Sequence, residues 1–290
     1  MSRHVYLVAL ALFPCSPAAV VFAQERLEAA TAGVAESAAG DRERGLGLAQ
    51  AGEFAAAYEL LAAWLAAHPE DSEVASVLAL CALNTGRQAE AKERLQALAG
   101  TDLRADLLLS EIHLADGRPY KAIEALEPRV GTAPPQLERE VQRVLSEALL
   151  TVGRGGEVVA LLEGGAAGDP KLALQLARGR FMTGDREGAL ATLEPLVQQI
   201  DRIGLARSQG PFQDLAAEIL TEYARALHSV GDASGAVRRM QDLVAVKPDH
   251  TEAWNVLGQG LVALGRPDEA GRAIANYYRL RRGPDGSAGD

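Results

Sequence analysis

Between Gly40 and Arg282 the chain alternates apolar-periodic stretches with single glycines, as in Val77-Leu78-Ala79-Leu80-Cys81-Ala82-Leu83-Asn84-Thr85-Gly86. Apolar residues spaced to fill one side of a helix run up to a glycine, and glycine ends helices by adopting φ > 0. Seven glycines recur in this context, Gly52, Gly86, Gly117, Gly153, Gly184, Gly231 and Gly265, at spacings of 34, 31, 36, 31, 47 and 34 residues. Seven residues before them stand Gly45, Ala79, Ser110, Ser146, Ala177, Ala224 and Gly258. Five after stand Ala57, Ala91, Ala122, Val158, Ala189, Ala236 and Ala270; nine after, Leu61, Leu95, Leu126, Leu162, Leu193, Met240 and Ile274. Seventeen after, a proline appears four times: Pro69, Pro134, Pro170 and Pro248. An alanine-rich chain gives small-residue matches by chance, but a large apolar column and a proline column in the same phase do not arise that way.

Each unit therefore predicts two helices joined at the glycine. Small residues on both helices permit close approach, and the large residue four positions beyond the second one fills the space beside them. Pro119 and Pro267 fall two residues after their glycines, where an early helical position tolerates a missing N–H. The later proline stops the second helix before the next unit. One such hairpin cannot bury its apolar face, whereas stacked neighbours can.

The pattern resembles the tetratricopeptide repeat (TPR), a 34-residue helix–turn–helix. In the last unit Trp254, Leu257, Gly258, Leu261, Gly265, Ala270 and Ile274 follow the family's columns, with Leu261 where the family favours Tyr. The resemblance implies an all-α, right-handed α-solenoid of about seven TPR-like repeats. The units run over about 38–71, 72–102, 103–136, 139–169, 170–203, 217–250 and 251–282. In the fourth, Val158 replaces Ala amid Gly153, Gly155, Gly156, Gly164 and Gly165, so its second helix, near Val158 to Glu163, is expected to be short.

The 47-residue spacing from Gly184 to Gly231 marks an insertion near 199–215. Ser208-Gln209-Gly210-Pro211 reads as a loop, between a long helix ending near Arg207 and a lengthened one from about Phe212 to Val230. Residues 24–39 read as a leader or capping helix and 283–290 (GPDGSAGD) as a disordered tail. The last helix ends in Tyr277, Tyr278 and Leu280 with no polar helix behind it, and terminal repeats ordinarily need a polar outer face. That end is either self-capped by Arg279, Arg281 and Arg282 or touches something.

Residues 1–23 read as a secretory signal peptide. Arg3 and His4 precede the apolar run Val5 to Phe13, and Val21-Phe22-Ala23 places small residues at a cleavage site before Gln24. Pro14 and Pro17 leave the run short for a membrane span. An uncleaved anchor and a lipoprotein signal at Cys15 are the rivals; Pro14 sits where a lipoprotein signal wants a small residue. The mature chain is thus expected to be exported, periplasmic or secreted, without a membrane span.

Composition agrees with helices: 54 Ala and 41 Leu in 290 residues, with only 4% aromatics, argue against a sandwich or a Rossmann-type sheet. The 29 Lys plus Arg against 39 Asp plus Glu give a net charge of −10, without the basic footprint of a nucleic-acid binder. Removing residues 1–23 takes one Arg and Cys15, leaving Cys81 as the one thiol, in an apolar helix where an inert, buried group is expected. No phosphate-binding loop, nucleophile elbow or zinc helix is present. Gly153-Arg154-Gly155-Gly156 lies between helices rather than after a strand, and His113 occupies a packing position where a satisfied structural histidine is expected. No catalytic residue, metal ligand or cofactor is assigned.

In the resembled family the first helix of each unit lines a concave groove. Six residues before the glycines that column reads Leu46, Leu80, Glu111, Glu147, Arg178, Arg225 and Gln259. Ten before, it reads Arg42, Ser76, Leu107, Arg143, Leu174, Thr221 and Asn255; three before, Ala49, Leu83, Leu114, Leu150, Phe181, His228 and Val262. The groove is thus expected to be apolar early, then acidic, then basic, with Glu111, Glu147, Arg178, Phe181, Arg225, His228, Asn255 and Gln259 as candidate partner contacts. Leu46 and Leu80 replace the asparagines with which some relatives clamp a partner's C-terminal carboxylate, so that mode is not expected. The implied function is a non-catalytic protein–protein interaction scaffold or assembly factor of a bacterial cell envelope, binding a protein or peptide. The alternative is a carbohydrate-binding accessory subunit of an exopolysaccharide synthesis or export system, against which stands the shortage of aromatic platforms beyond Phe181.

Overall fold

The computed structural model describes residues 38–282 except Ala167, Ser208 and Gln209. The segments expected to be a signal peptide (1–23) and a disordered tail (283–290), and most of the expected leader (24–39), lie outside the described residues. Among the described residues there are fourteen α-helices and no strand. The first helices of successive hairpins are α1 (Ala38–Gln50), α3 (Ser72–Asn84), α5 (Leu103–Ala115), α7 (Pro135–Thr151), α9 (Pro170–Met182), α11 (Pro211–Ser229) and α13 (Thr251–Ala263). The second helices are α2 (Phe54–Ala67), α4 (Gln88–Leu98), α6 (Pro119–Leu126), α8 (Gly155–Leu162), α10 (Arg186–Ile203), α12 (Ala233–Val246) and α14 (Pro267–Arg282). They group into two compact units divided between Ala148 and Leu149, inside α7.

The seven phase-setting glycines all end first helices, with φ between 67° and 94°. After each, the next residue donates its N–H to the carbonyl five positions back: Arg87 to Ala82 at 2.8 Å, and its counterparts at 2.7–3.0 Å. This is the six-to-one bond of a Schellman turn, which satisfies a carbonyl that the helix end would otherwise leave bare. Helix starts are equally local. Asp71, Asp102, Asp169, Asp185 and Asp232 each accept a hydrogen bond from a backbone N–H two or three residues on.

Within each unit every helix packs on the next, α1 through α6 in the first and α8 through α14 in the second. The small-residue columns make the contact. A Cβ added to Gly45 would lie 2.6 Å from Cδ2 of Leu61, and one added to Gly258 would lie 2.9 Å from Cγ1 of Ile274. The large residue nine after the glycine is fully buried in six hairpins, while Ile274 in the seventh is 39% exposed, because no further helix among the described residues packs on α14.

α8 spans eight residues, the short helix that its glycines predicted. α10 is long but stops at Ile203, four residues before the expected Arg207, because Gly204 (φ 82°) takes the C-cap. A 3-10 turn over Leu205–Arg207 follows, and α11 starts at Pro211. The long spacing is thus absorbed by an 18-residue α10, a 19-residue α11 and the turn between them.

Candidate partner-binding surface

In the second unit α9, α11 and α13 are neighbouring first helices, α11 packing on both others. Their candidate residues form one connected polar ladder. Arg178 on α9 donates to Glu222 at 3.1 Å and to Glu218 at 3.2 Å, both on α11. Arg225 donates to Glu222 at 3.0 Å and to Glu252 on α13 at 2.7 Å. Asn255 donates to Glu252 at 3.5 Å, and Gln259 to the Asn255 carbonyl oxygen at 3.2 Å. The guanidiniums are about one-third exposed, and Glu252 about half. They are reachable from solvent, so each pair adds little to stability.

Three residues beyond Arg178, Arg225 and Gln259, on the same helix face, stand Phe181, His228 and Val262. Phe181 is 37% and Val262 60% exposed. His228 is half-buried, and its Nδ1 has no hydrogen-bond partner. A row of apolar and aromatic groups therefore runs beside the ladder across three helices. Glu218, Glu222 and Glu252 were not among the residues singled out in the sequence. Glu222 and Glu252 precede Arg225 and Asn255 by three residues, and that helical spacing was the signal available.

In the first unit Glu111 and Glu147 surround one cation. Arg143 on α7 donates to Glu111 on α5 at 2.5 Å and to Glu140 at 2.7 Å, and lies 3.7 Å from Glu147. Burial drives the Glu111 carboxyl above its ordinary range against the pull of Arg143, with Glu140 and Glu147 adding to the rise. Burial penalises the Arg143 charge too, but the carboxylates outweigh it and raise its pKa. Glu147 is the exposed member.

Other expectations are corrected. Leu80, Leu107 and Leu174, expected to line the groove, are at most 3% exposed, as are Ser76 and Thr221. At Leu80, six before its glycine, and at Ser76, Leu107, Leu174 and Thr221, ten before theirs, the small or apolar side chain is packed into the core. Arg42, in the same column, is held by Asp71 and Glu73, each at 2.7 Å. His113 is not a satisfied histidine: its Nδ1 is buried without a partner. Burial, then the cations Lys121, Lys92 and Arg118, lower its pKa. Cys81 is fully buried, and burial pushes its thiol up to about 12, which makes it a poor nucleophile.

The long spacing creates a cavity of about 240 Å³ lined by Ile200, Asp201, Gly204, Leu205, Leu220, Arg239, Asp242, Leu243 and Val246. Arg239 and Asp201 close one side through two hydrogen bonds of 2.6 and 2.9 Å. No group of three or more metal-ligating side chains, and no helix long and apolar enough to cross a membrane, occurs among the described residues.

Helix hairpins that each turn on a positive-φ glycine with a Schellman bond define a helical-repeat protein. Residues 48–103 match the family model of the tetratricopeptide repeat. Among solved structures, a tetratricopeptide repeat protein from Parabacteroides merdae is 12% identical with a TM-score of 0.58, covering 86% of this chain and 94% of that one. The APC/C hetero-tetramer Cut9–Hcn1 is 13% identical with a TM-score of 0.59, covering 84% and 46%. No curated protein matches the sequence. Residues 48–103 thus carry a tetratricopeptide repeat, and the likeness to these structures shows that the chain shares their fold, a fold that suggests a protein–protein interaction scaffold.

Proposed function

We propose that this protein is an exported, non-catalytic scaffold or assembly factor of a bacterial envelope that holds a protein or peptide partner across the first-helix face of its second unit. The observation that carries this reading is the pairing of two rows on α9, α11 and α13. The Arg178–Glu222–Arg225–Glu252 ladder offers alternating charge, and Phe181 and Val262 beside it offer exposed apolar area. Apolar area supplies binding energy and charge sets register. An extended peptide laid across three helices would meet both rows at once. The N-terminal basic start, apolar run and small-residue site support export.

The test is cross-linking and affinity capture from envelope extract. It compares the protein with a variant carrying Arg178→Glu and Arg225→Glu and with a second, Phe181→Ser with Val262→Ser. Circular dichroism checks that both variants remain helical. A protein captured by the parent and lost with both variants supports the proposal. Identical captures by all three refute the first-helix face as the working surface. Intact mass of the exported protein beginning at Gln24 supports export, and retention of Met1 refutes cleavage.

A further inference from the structure

The cavity of about 240 Å³ inside the second unit has a lining whose chemistry selects a ligand. α10 ends at Gly204, which brings no side chain, and the 3-10 turn carries the chain around the space to α11. The cavity lies on the far side of α11 from the polar ladder. Leu220 lines it, two residues from both Glu218 and Glu222, and two residues turn a helix by about 200°.

Five side chains, Ile200, Leu205, Leu220, Leu243 and Val246, make apolar walls. Three charged groups complete the lining: Asp201, Arg239 and Asp242. Arg239 is the one cation of the lining, and both of its terminal nitrogens are given to Asp201, at 2.6 and 2.9 Å. Asp242, three residues beyond Arg239 on α12, is exposed and makes no hydrogen bond or ion pair among the described residues. Of the cations next to the lining, Lys247 is held by Asp214 on α11. Arg207 is exposed, with its stem beside Gly204. Two carboxylates against one guanidinium leave the lining net negative, and its uncommitted polar group is a carboxylate. An anionic ligand has to displace Asp201 from Arg239, whereas a cation meets an open acceptor. The volume is below the roughly 300–1,000 Å³ of pockets for drug-sized ligands. It equals about eight waters' share of liquid, which suits a molecule of about six non-hydrogen atoms.

We propose that this cavity binds a small alkylammonium ion. Its hydrocarbon stem lies among Leu205, Leu220, Leu243 and Val246, and its ammonium donates to Asp242 and to a second lone pair of an Asp201 oxygen. The site is separate from the first-helix face, so it stands or falls without the partner proposed there.

Titration of the ¹⁵N-labelled full chain at pH 7 with n-pentylammonium, n-pentanol and n-pentanoate tests this, since the three share one stem and differ in charge. Pentylammonium should give saturable amide shifts in the millimolar range, centred on the end of α10, the 3-10 turn and α12; pentanol should bind more weakly and pentanoate least. Asp242→Asn breaks no contact within the fold and should weaken pentylammonium by about three- to tenfold. Asp201→Asn with Asp242→Asn leaves Arg239 unpaired, so the preference should reverse and pentanoate should bind more tightly than pentylammonium. Circular dichroism checks that both variants remain helical; should the double variant unfold, Asp242→Asn alone decides. The absence of saturable shifts at tens of millimolar pentylammonium overturns the proposal. So does pentanoate binding the parent as tightly, or an affinity for pentylammonium that Asp242→Asn leaves unchanged.

Discussion

Asp71 ties three helices together, and its removal gives a sharp test of how the first unit is held. Its carboxylate caps α3 by accepting from the Val74 N–H at 3.1 Å. It also accepts from the Trp64 indole on α2 at 3.1 Å and from Arg42 on α1 at 2.7 Å. The Arg42 guanidinium is the largest cause that holds the Asp71 carboxyl down at about 2, against an ordinary 3.8. A shift of that size corresponds to about 2 kcal/mol, reduced to about 1–2 kcal/mol by solvent screening at this partly exposed site. The sign follows from the depressed folded-state value: the stabilisation is present above pH 3.8 and is lost as the pH falls towards 2. Asp71→Asn keeps a capping oxygen and removes the charge, so it should cost about 1–2 kcal/mol at pH 7. Asp71→Ala removes the cap as well and leaves the Trp64 N–H bare, which raises the cost to about 2–3 kcal/mol. Urea denaturation of the three proteins at pH 7 and at steps between pH 4 and 2 measures both. The gap between the parent and Asp71→Asn should close as the pH falls. An Asn variant as stable as the parent at pH 7, or a gap independent of pH, would refute the reasoning.

Further predictions follow from the packing and the buried charges. Met240→Ala, at a fully buried column position, should cost about 2–5 kcal/mol; Ile274→Ala in the same column should cost clearly less, because Ile274 is 39% exposed, and thermal unfolding compares the two. Gly86→Ala meets no neighbour within 4 Å but must adopt φ 81°, so it should destabilise by about 1–2 kcal/mol through the backbone alone. Glu111 has a raised pKa, so its neutral form is the one the fold prefers. Stability from it is full below the unfolded value of about 4.5 and lost as the pH rises above that. Glu111→Gln should therefore flatten the decline of stability with rising pH, and denaturation midpoints across pH 4 to 8 would show it.

The glycine phase made the hairpins legible because one residue type has one local task at each turn, and the positive φ values at all seven positions follow from it. The small and large columns were legible because they repeat. The face of each helix was read less well. Position ten before the glycine looked like groove lining, yet Leu107, Leu174 and Thr221 lie at most 3% exposed. Stacking buries a wider arc of the first helix than a lone hairpin would, and an apolar residue at the edge of that arc reads the same in sequence on either side. The polar ladder was half visible. Arg178 and Arg225 fell on a column, but their partners Glu218, Glu222 and Glu252 lie on other turns, and Arg178 reaches 40 and 44 residues along the chain to meet two of them. That separation is set by the long α10 and α11, which no spacing rule for a 34-residue unit supplies.

Site-specific photo-cross-linking tests the central claim most directly. A photoreactive side chain would replace Phe181, His228 or Val262 on the first helices, or exposed Gln198 or Arg238 on the second helices α10 and α12. The proteins would be irradiated in envelope extract. The account predicts one partner adduct at the first-helix positions and none at Gln198 or Arg238. The same adduct at the second-helix positions, with none at Phe181 and Val262, would contradict it.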